Sequence, residues 1–376
     1  VTGVGASIRD ILPSAAAVLG LPDAPDTLGL REHLRDARRI GVLLVDGMGS
    51  HLLPRLAPHA PLLASVLSGT VGRLDELTCT FPSTTPTSLV SLGTGAEPGE
   101  HGILGFTLNV PGTDRVVTHI LWRDDPPPAS WQPVQTWFER LAAAGIGTSV
   151  VLPAMFGGSG LTDAAYRGAR FCGVRRGDDY AGRFLTELHA APGLVYGYSA
   201  ALDTAAHRFG IASPEWAAAA AKVDALLSRL LDGLPGDAAL LVTADHGGLD
   251  VPPGGRFDVA TDPRLSAGIR VVAGEPRVRY LHTLAGAAAD VRANWQGVLG
   301  ADAQVMDREE AVATGMFGAV RPDHLARIGD VVVVCTGAIA VLATDREPPE
   351  LSNLIGFHGS TTPAETAIPL ISVRRG

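Results

Sequence analysis

The stretch ALLVTADHGGLD, residues 239–250, opens with an unbroken apolar run and then places Asp245 and His246 directly before two glycines. An apolar run without in–out alternation is what a strand covered on both faces looks like, and such strands belong to parallel sheets flanked by helices. Open α/β sheets bind ligands beyond the C-terminal ends of their strands, so Asp245 and His246 stand where chemistry is expected. Gly247 and Gly248 permit the sharp turn that lets two adjacent side chains face one ion. A polar turn with a capping aspartate is the other reading of the same residues.

Similar runs recur along the chain at residues 40–45, 147–152, 193–198 and 330–335, with a weaker candidate at 77–80. Between them, helical periodicity covers residues 133–144, 178–190 and 214–231, the last announced by Ser213 as N-cap before Pro214. This βα alternation predicts an α/β fold around a mostly parallel sheet. From 256 to 344 the texture changes to strand-like segments at 268–273 and 278–281 and an Ala-rich helix at 284–295. The expected organisation is a core over residues 1–255, a stretch 256–344 that includes a small α+β insertion or cap, and a completion of the core over 345–376.

Length and composition agree with this reading. The 376 residues are 46% hydrophobic and 18% charged, with 45 Gly and 27 Pro, which suits short connections in a well-buried protein. A net charge of −9 without any Lys/Arg run excludes polymeric nucleic acid as the main partner. A small anionic substrate stays compatible, because bound divalent ions invert the field inside one cleft. Cys79, Cys172 and Cys335 lie far apart and predict no disulfide framework. No stretch of about 18 uncharged apolar residues predicts a membrane span, and the first twenty residues do not read as a leader, so cytoplasmic residence is expected.

Four further segments put metal-ligand or nucleophile residues next to apolar strands. GVLLVDGMGS, 41–50, ends its strand at Asp46, a carboxylate that costs several kcal/mol to bury unless it meets a cation, although a helix cap explains it equally well. TCTFPSTTPTSLVSLGTG, 78–95, has Thr85 ahead of Pro86, which makes Thr85 the expected N-cap of a helix whose N-terminus suits a phosphoryl group. VYGYSAALDTAAHRFG, 195–210, spaces Asp203 and His207 four apart, so that one helical turn points both the same way, although without context an exposed Asp–His pair on a helix is the better reading. LIGFHGSTTP, 354–363, contributes His358, which read by itself after an apolar stretch is a satisfied core imidazole rather than a ligand. Together these segments supply three Asp and three His, enough for two three-ligand sites of the mixed carboxylate and imidazole kind that suits zinc. Two such ions clamp the attacking and leaving oxygens of an in-line displacement.

This ordered set resembles the alkaline phosphatase superfamily and, within it, the nucleotide pyrophosphatase/phosphodiesterase branch, the type I phosphodiesterases, over about residues 41–370. The resemblance implies an alkaline-phosphatase-like three-layer sandwich. It assigns one divalent ion to Asp203, His207 and His358 and the other to Asp46, Asp245 and His246, with Zn2+ foremost and Mn2+ as the alternative. It places the nucleophile, also in contact with metal, at Thr85, ten residues before the glycine of Leu92–Gly95, and a phospho-threonine intermediate follows. The segment PGEHGILGF, 98–106, resembles a family segment beside the substrate. Where the family carries a phosphoryl-binding Asn this chain has Phe106, with Asn109 three residues on, and both are candidate substrate contacts. The implied activity is hydrolysis of a small phosphodiester or nucleotide pyrophosphate. A phosphomonoesterase, a phosphonate hydrolase and a non-catalytic binding protein on the same fold are the alternatives.

Overall fold

The apolar runs assemble into one seven-stranded sheet in the computed structural model, which describes residues 5–374. In chain order the strands are β1 (Arg39–Val45), β2 (Arg73–Thr78), β3 (Gly147–Pro153), β4 (Arg170–Val174), β5 (Gly193–Ser199), β6 (Ala238–Thr243) and β7 (Ala367–Arg374). They lie side by side as β2-β7-β6-β1-β5-β3-β4. Only β7, wedged between β6 and β2, runs against its neighbours; the rest of the sheet is parallel. Every residue of β6 is buried, as are six of the seven of β1, which requires cover on both faces and accounts for the missing alternation in the sequence. Each Leu or Val so buried stabilises the fold by roughly 1.5–3 kcal/mol.

Register fixes what the sheet edge offers. Val45 pairs with Ser199 and Leu44 with Thr243, so Asp46, Ser199 and the Asp245 turn leave the sheet at one level. The amide of Asp46 donates to the Ser199 carbonyl at 3.0 Å and extends that register by one step.

Residues 330–335, expected among the strands of the parallel sheet, lie elsewhere. Val331–Cys335 is an inner strand of a second, antiparallel sheet of six, beside Ala303–Asp307 and Val278–Thr283; Ile269–Glu275, Thr107–Asn109 and Val116–Thr118 complete it. Val332 and Val334 join the core of the main sheet, whereas Val331, Val333 and Cys335 join a second core under the helix Ala288–Leu299. Both faces are dry, so an antiparallel strand reads like a parallel one. This second sheet draws on residues 107–118 as well as on 269–335.

Helix limits differ from expectation for local reasons. The Ala-rich helix starts at Ala288, not 284, because Gly286 turns at φ +78°. The helix expected over 133–144 is Trp137–Ala143, begun by Thr136 and Glu139 in a capping box. Pro214–Asp232 begins as expected, with Ser213 Oγ accepting from the Trp216 amide at 3.1 Å.

One buried ion pair ties the second sheet to the end of the chain. The Arg277 guanidinium donates to both oxygens of Glu365 at 2.8 and 2.7 Å, and Glu365 Oε1 also accepts from the Ser360 amide at 2.9 Å. The turn carrying His358 is thereby anchored from behind. The three cysteines are buried and free, and among the described residues no helix is long and apolar enough to cross a membrane.

Candidate active site

The six candidate ligands converge at the C-terminal edge of β1, β5 and β6. Asp46 leaves β1 and Asp245 and His246 leave β6, while Asp203 and His207 sit on α1 (Ala201–Phe209), which follows β5. The chain reaches Asp203 closely: Gly47 turns at φ +73°, and a Cβ there would lie 2.9 Å from the Asp203 Cβ. Gly247 acts differently from expectation. Neither it nor Gly248 takes a positive φ; a Cβ on Gly247 would meet the Ala364 carbonyl at 2.2 Å, so close backbone approach, and not a left-handed turn, is what requires glycine.

Each histidine donates Nδ1–H to a main-chain carbonyl: His207 to Gly356 at 2.7 Å, His246 to Gly247 at 2.8 Å and His358 to Ser83 at 2.9 Å. A carbonyl only accepts, so in the neutral rings the Nε2 lone pairs face the pocket, the tautomer that a metal ligand needs. His358 Nε2 lies 3.2 Å from His207 Nε2, which in turn lies 3.2 Å from Asp203 Oδ2. Around His246 Nε2 stand Thr85 Oγ1 at 3.2 Å, Asp46 Oδ1 at 3.4 Å and Asp245 Oδ2 at 3.5 Å. A tetrahedral ion with bonds of about 2.0–2.1 Å sets its ligand atoms about 3.3 Å apart, and these spacings match.

Two buried oxygens, Asp46 Oδ1 and Asp245 Oδ2, have no hydrogen-bond partner among the described residues, which is costly unless a cation completes them. The donor set therefore fits divalent ions. Donor atoms of Asp203, His207 and His358 lie within 4.8 Å of one another, and so do those of Asp46, Asp203 and His246. Asp203 belongs to both groups, a sharing that the division into two sets of three leaves out. Asp245 spends its Oδ1 on the amides of Gly47 and His246, both at 3.1 Å.

Electrostatics without a cation reflect crowding. Burial, then the charges of Asp245 and Asp203, push the Asp46 carboxyl well above its ordinary range. Burial opposes charge on Asp203, yet His207 outweighs it and holds that carboxyl low. Burial likewise opposes charge on His207, and Asp203 overrides it to raise the imidazole to about 9. Burial and the neighbouring His246 hold His358 well below the usual histidine value.

Thr85 stands beside this cluster as the first residue of α2 (Thr85–Thr94), not as its N-cap. Thr84 caps in extended conformation (φ −134°, ψ 148°), and Pro86 takes the second helical position, where its missing N–H costs nothing. Ser88 Oγ, one turn on, donates to the Asp245 carbonyl at 2.7 Å and locks this helix to the end of β6. An apolar cleft opens from Thr85 past Leu89, Leu152, Phe156, Tyr166 and Tyr198 to Ile120. No charged side chain lines it among the described residues. A more open hollow of about 580 Å³ beside Lys222 and Arg229 shares Tyr198 with this cleft and holds neither Thr85 nor any of the six candidate ligands.

A model of the type I phosphodiesterase / nucleotide pyrophosphatase family matches residues 41–361. The chain belongs to that family. Murine ectonucleotide pyrophosphatase/phosphodiesterase 5 superposes with a TM-score of 0.72 at 16% identity, covering 90% of this chain and 88% of its own. The human protein of that name gives 0.71 at 16%, covering 89% and 88%. Phosphonoacetate hydrolase from Sinorhizobium meliloti 1021, in complex with phosphonoacetate, gives 0.66 at 21%, covering 90% of each chain. At these identities the likeness concerns the fold. None of the curated proteins matches the sequence. Family and fold together make this chain a phosphoesterase-type hydrolase with candidate Asp/His ligands for divalent ions.

The two candidate substrate contacts of this family member are placed apart from the cluster's hydrogen bonds. Asn109 is buried in the hairpin of the second sheet, where its Nδ2 donates to the carbonyls of Thr113 and Arg115 at 2.9 and 3.0 Å. The Phe106 carbonyl accepts from the His119 amide at 3.1 Å. Arg208 is exposed. Sequence reading passed over Tyr198, whose hydroxyl donates to Asp46 Oδ2, and Ser83, which holds His358. Tyr198 ends the same apolar strand that leads to Asp203, and that position was the signal available for it.

Proposed function

We propose that this chain hydrolyses phosphodiesters or nucleotide pyrophosphates through a phospho-threonine intermediate on Thr85. The observation that carries the reading is the meeting of Thr85 Oγ1, Asp46 Oδ1 and Asp245 Oδ2 around His246 Nε2 within 3.5 Å. Asp46, Asp245 and His246 would hold one divalent ion and Asp203, His207 and His358 the other, with Zn2+ favoured by the mixed donor set. Bound there, such ions supply Lewis-acid charge to phosphoryl oxygens and lower the pKa of hydroxyl groups beside them.

The chain's own groups do the rest. Thr85 Oγ attacks phosphorus in line, forming an O–P bond as the bond to the leaving ester oxygen breaks; water then cleaves the phospho-threonine and restores the hydroxyl. The N-terminal turn of α2 presents N–H groups and partial positive charge to the phosphoryl oxygens, a contribution that needs no Asn at position 106. The uncharged cleft takes one ester substituent. Since no Arg or Lys among the described residues lines it, it offers nothing to the second charge of a monoester, and this favours the monoanionic diester. The murine neighbour has been described as an inactive threonine-to-alanine variant in complex with AMP, which supports a hydroxyl nucleophile and a nucleoside-bearing substrate here.

The test is a panel of bis-aryl phosphate, aryl phosphate, nucleotide pyrophosphate and phosphonate, run with Zn2+ and with Mn2+. Turnover of the diester or pyrophosphate well above the monoester and phosphonate is expected. Preference for the monoester or the phosphonate would refute the diester reading.

A further inference from the structure

We propose that Tyr198 is a positioning residue that orients the Asp46 carboxylate toward its ion; the inference rests on the reading of Asp46 as an ion ligand. The phenol hydroxyl donates to Asp46 Oδ2. The other oxygen, Oδ1, has no hydrogen-bond partner among the described residues and lies 3.4 Å from His246 Nε2. The two oxygens are thereby made unequal: one is capped by a neutral donor, and the other is left as a bare anionic ligand facing the pocket. A carboxylate crowded by Asp203 and Asp245 would otherwise turn away from them, and the phenol prevents that rotation while adding no charge.

Tyr198 is itself held from three directions. Its amide donates to Tyr180 Oη at 2.7 Å, and Tyr180 Oη donates to the Val151 carbonyl at 3.1 Å. Its ring meets Phe156 edge-on, with centroids 6.2 Å apart at 64°. Its main chain pairs with Leu44 in β1, two residues before Asp46, so both ends of the phenol–carboxylate bond hang from hydrogen-bonded neighbouring strands. A donor mounted this rigidly transmits sheet geometry to the ligand. The same ring also walls the cleft beside Thr85, which a shorter Ser or Thr donor would not do.

Hydrogen bonds of this kind, one step removed from the metal, are worth about 10- to 100-fold in metal affinity. The experiment is calorimetric titration of Zn2+ into metal-free wild type and Tyr198→Phe, which keeps the ring and loses only the hydroxyl, together with the melting temperature of both metal-free proteins. One binding step should weaken about tenfold or more while the other stays put, and the metal-free melting temperature should fall modestly because the buried Asp46 oxygen loses its donor. In a His207→Ala background, which removes a ligand of the other set, the remaining step should carry the whole loss. Equal affinities at both steps in wild type and Tyr198→Phe would overturn the positioning role and leave the ion centre standing. A lowered melting temperature with both steps weakened alike would replace it with a merely structural role. Wild type that takes up no Zn2+ would overturn the centre and the inference together.

Discussion

The main-chain carbonyl of Ser83 accepts the Nδ1 proton of His358 at 2.9 Å, so a residue two positions before the proposed nucleophile decides which nitrogen of the last candidate ligand faces the pocket. The joint is reinforced in both directions: the Ser83 amide donates to the Gly359 carbonyl at 3.0 Å, and the Gly359 amide donates to Ser83 Oγ at 3.1 Å. Ser83→Ala leaves the two main-chain bonds and strips the buried Gly359 amide of its acceptor. We expect a loss of about 1–3 kcal/mol in unfolding free energy, read by urea denaturation, together with weaker metal retention against a chelator. Unchanged stability would show that the two segments do not depend on this serine.

Thr85→Ala should lower bis-aryl phosphate turnover by at least about a thousandfold, while elemental analysis finds the same metal content as in wild type. The asymmetry follows from geometry, since Thr85 is one of several donors around His246 Nε2 and the carboxylates remain. Activity within tenfold of wild type would refute the nucleophile assignment.

Because Asp203 has donor atoms within reach of both His207 and His358 and of both Asp46 and His246, its loss should be felt at both ions. Asp203→Asn is expected to reduce bound metal at both positions, whereas His358→Ala should reduce it at one. If Asp203→Asn retains one ion at full affinity, the shared role is wrong.

The fold was legible wherever burial covers both faces of a strand, as in β1, β5 and β6, because such runs leave no polar positions to confuse the reading. The same rule misplaced residues 330–335, since Val331–Cys335 is equally dry between two cores and periodicity carries no information about the direction of its partners. At the site, Asp203 and His207 were legible as a pair because helical spacing is local, and their sharing between two groups was not, because it depends on how far α1 tilts toward Gly47. Thr85 was off by one as a cap: Pro is accepted at the first or the second helical position, and sequence alone does not separate the two.

Glu275 gives a pH dependence free of the candidate ligands. The side chain is buried, its Oε1 has no partner among the described residues, and burial raises it from 4.5 to about 8. Between those values the folded chain keeps a proton that the unfolded chain has released, so stability present below pH 4.5 is lost as pH rises toward 8. We expect metal-free wild type to lose about 3–4 kcal/mol relative to Glu275→Gln between pH 5 and pH 8. Parallel stability curves for the two proteins over that range, measured by denaturant midpoints, would refute the buried acid.

The two glycines after His246 make a last, internally controlled prediction. A Cβ on Gly247 would stand 2.2 Å from the Ala364 carbonyl, whereas a Cβ on Gly248 would find its nearest neighbour, the Phe357 carbonyl, at 3.3 Å. The first contact involves backbone on both sides, and the Gly247 amide already donates to the Glu365 carbonyl at 2.8 Å, so neither segment can withdraw without breaking that bond. Gly247→Ala should therefore cost about 1–3 kcal/mol from overpacking and, by displacing His246, lower metal affinity and turnover as well. Gly248→Ala needs a shift of only a few tenths of an ångström and should stay near wild type in all three. If both glycines serve instead to permit a turn, the two variants will be equally damaged, and melting temperatures measured side by side will show it.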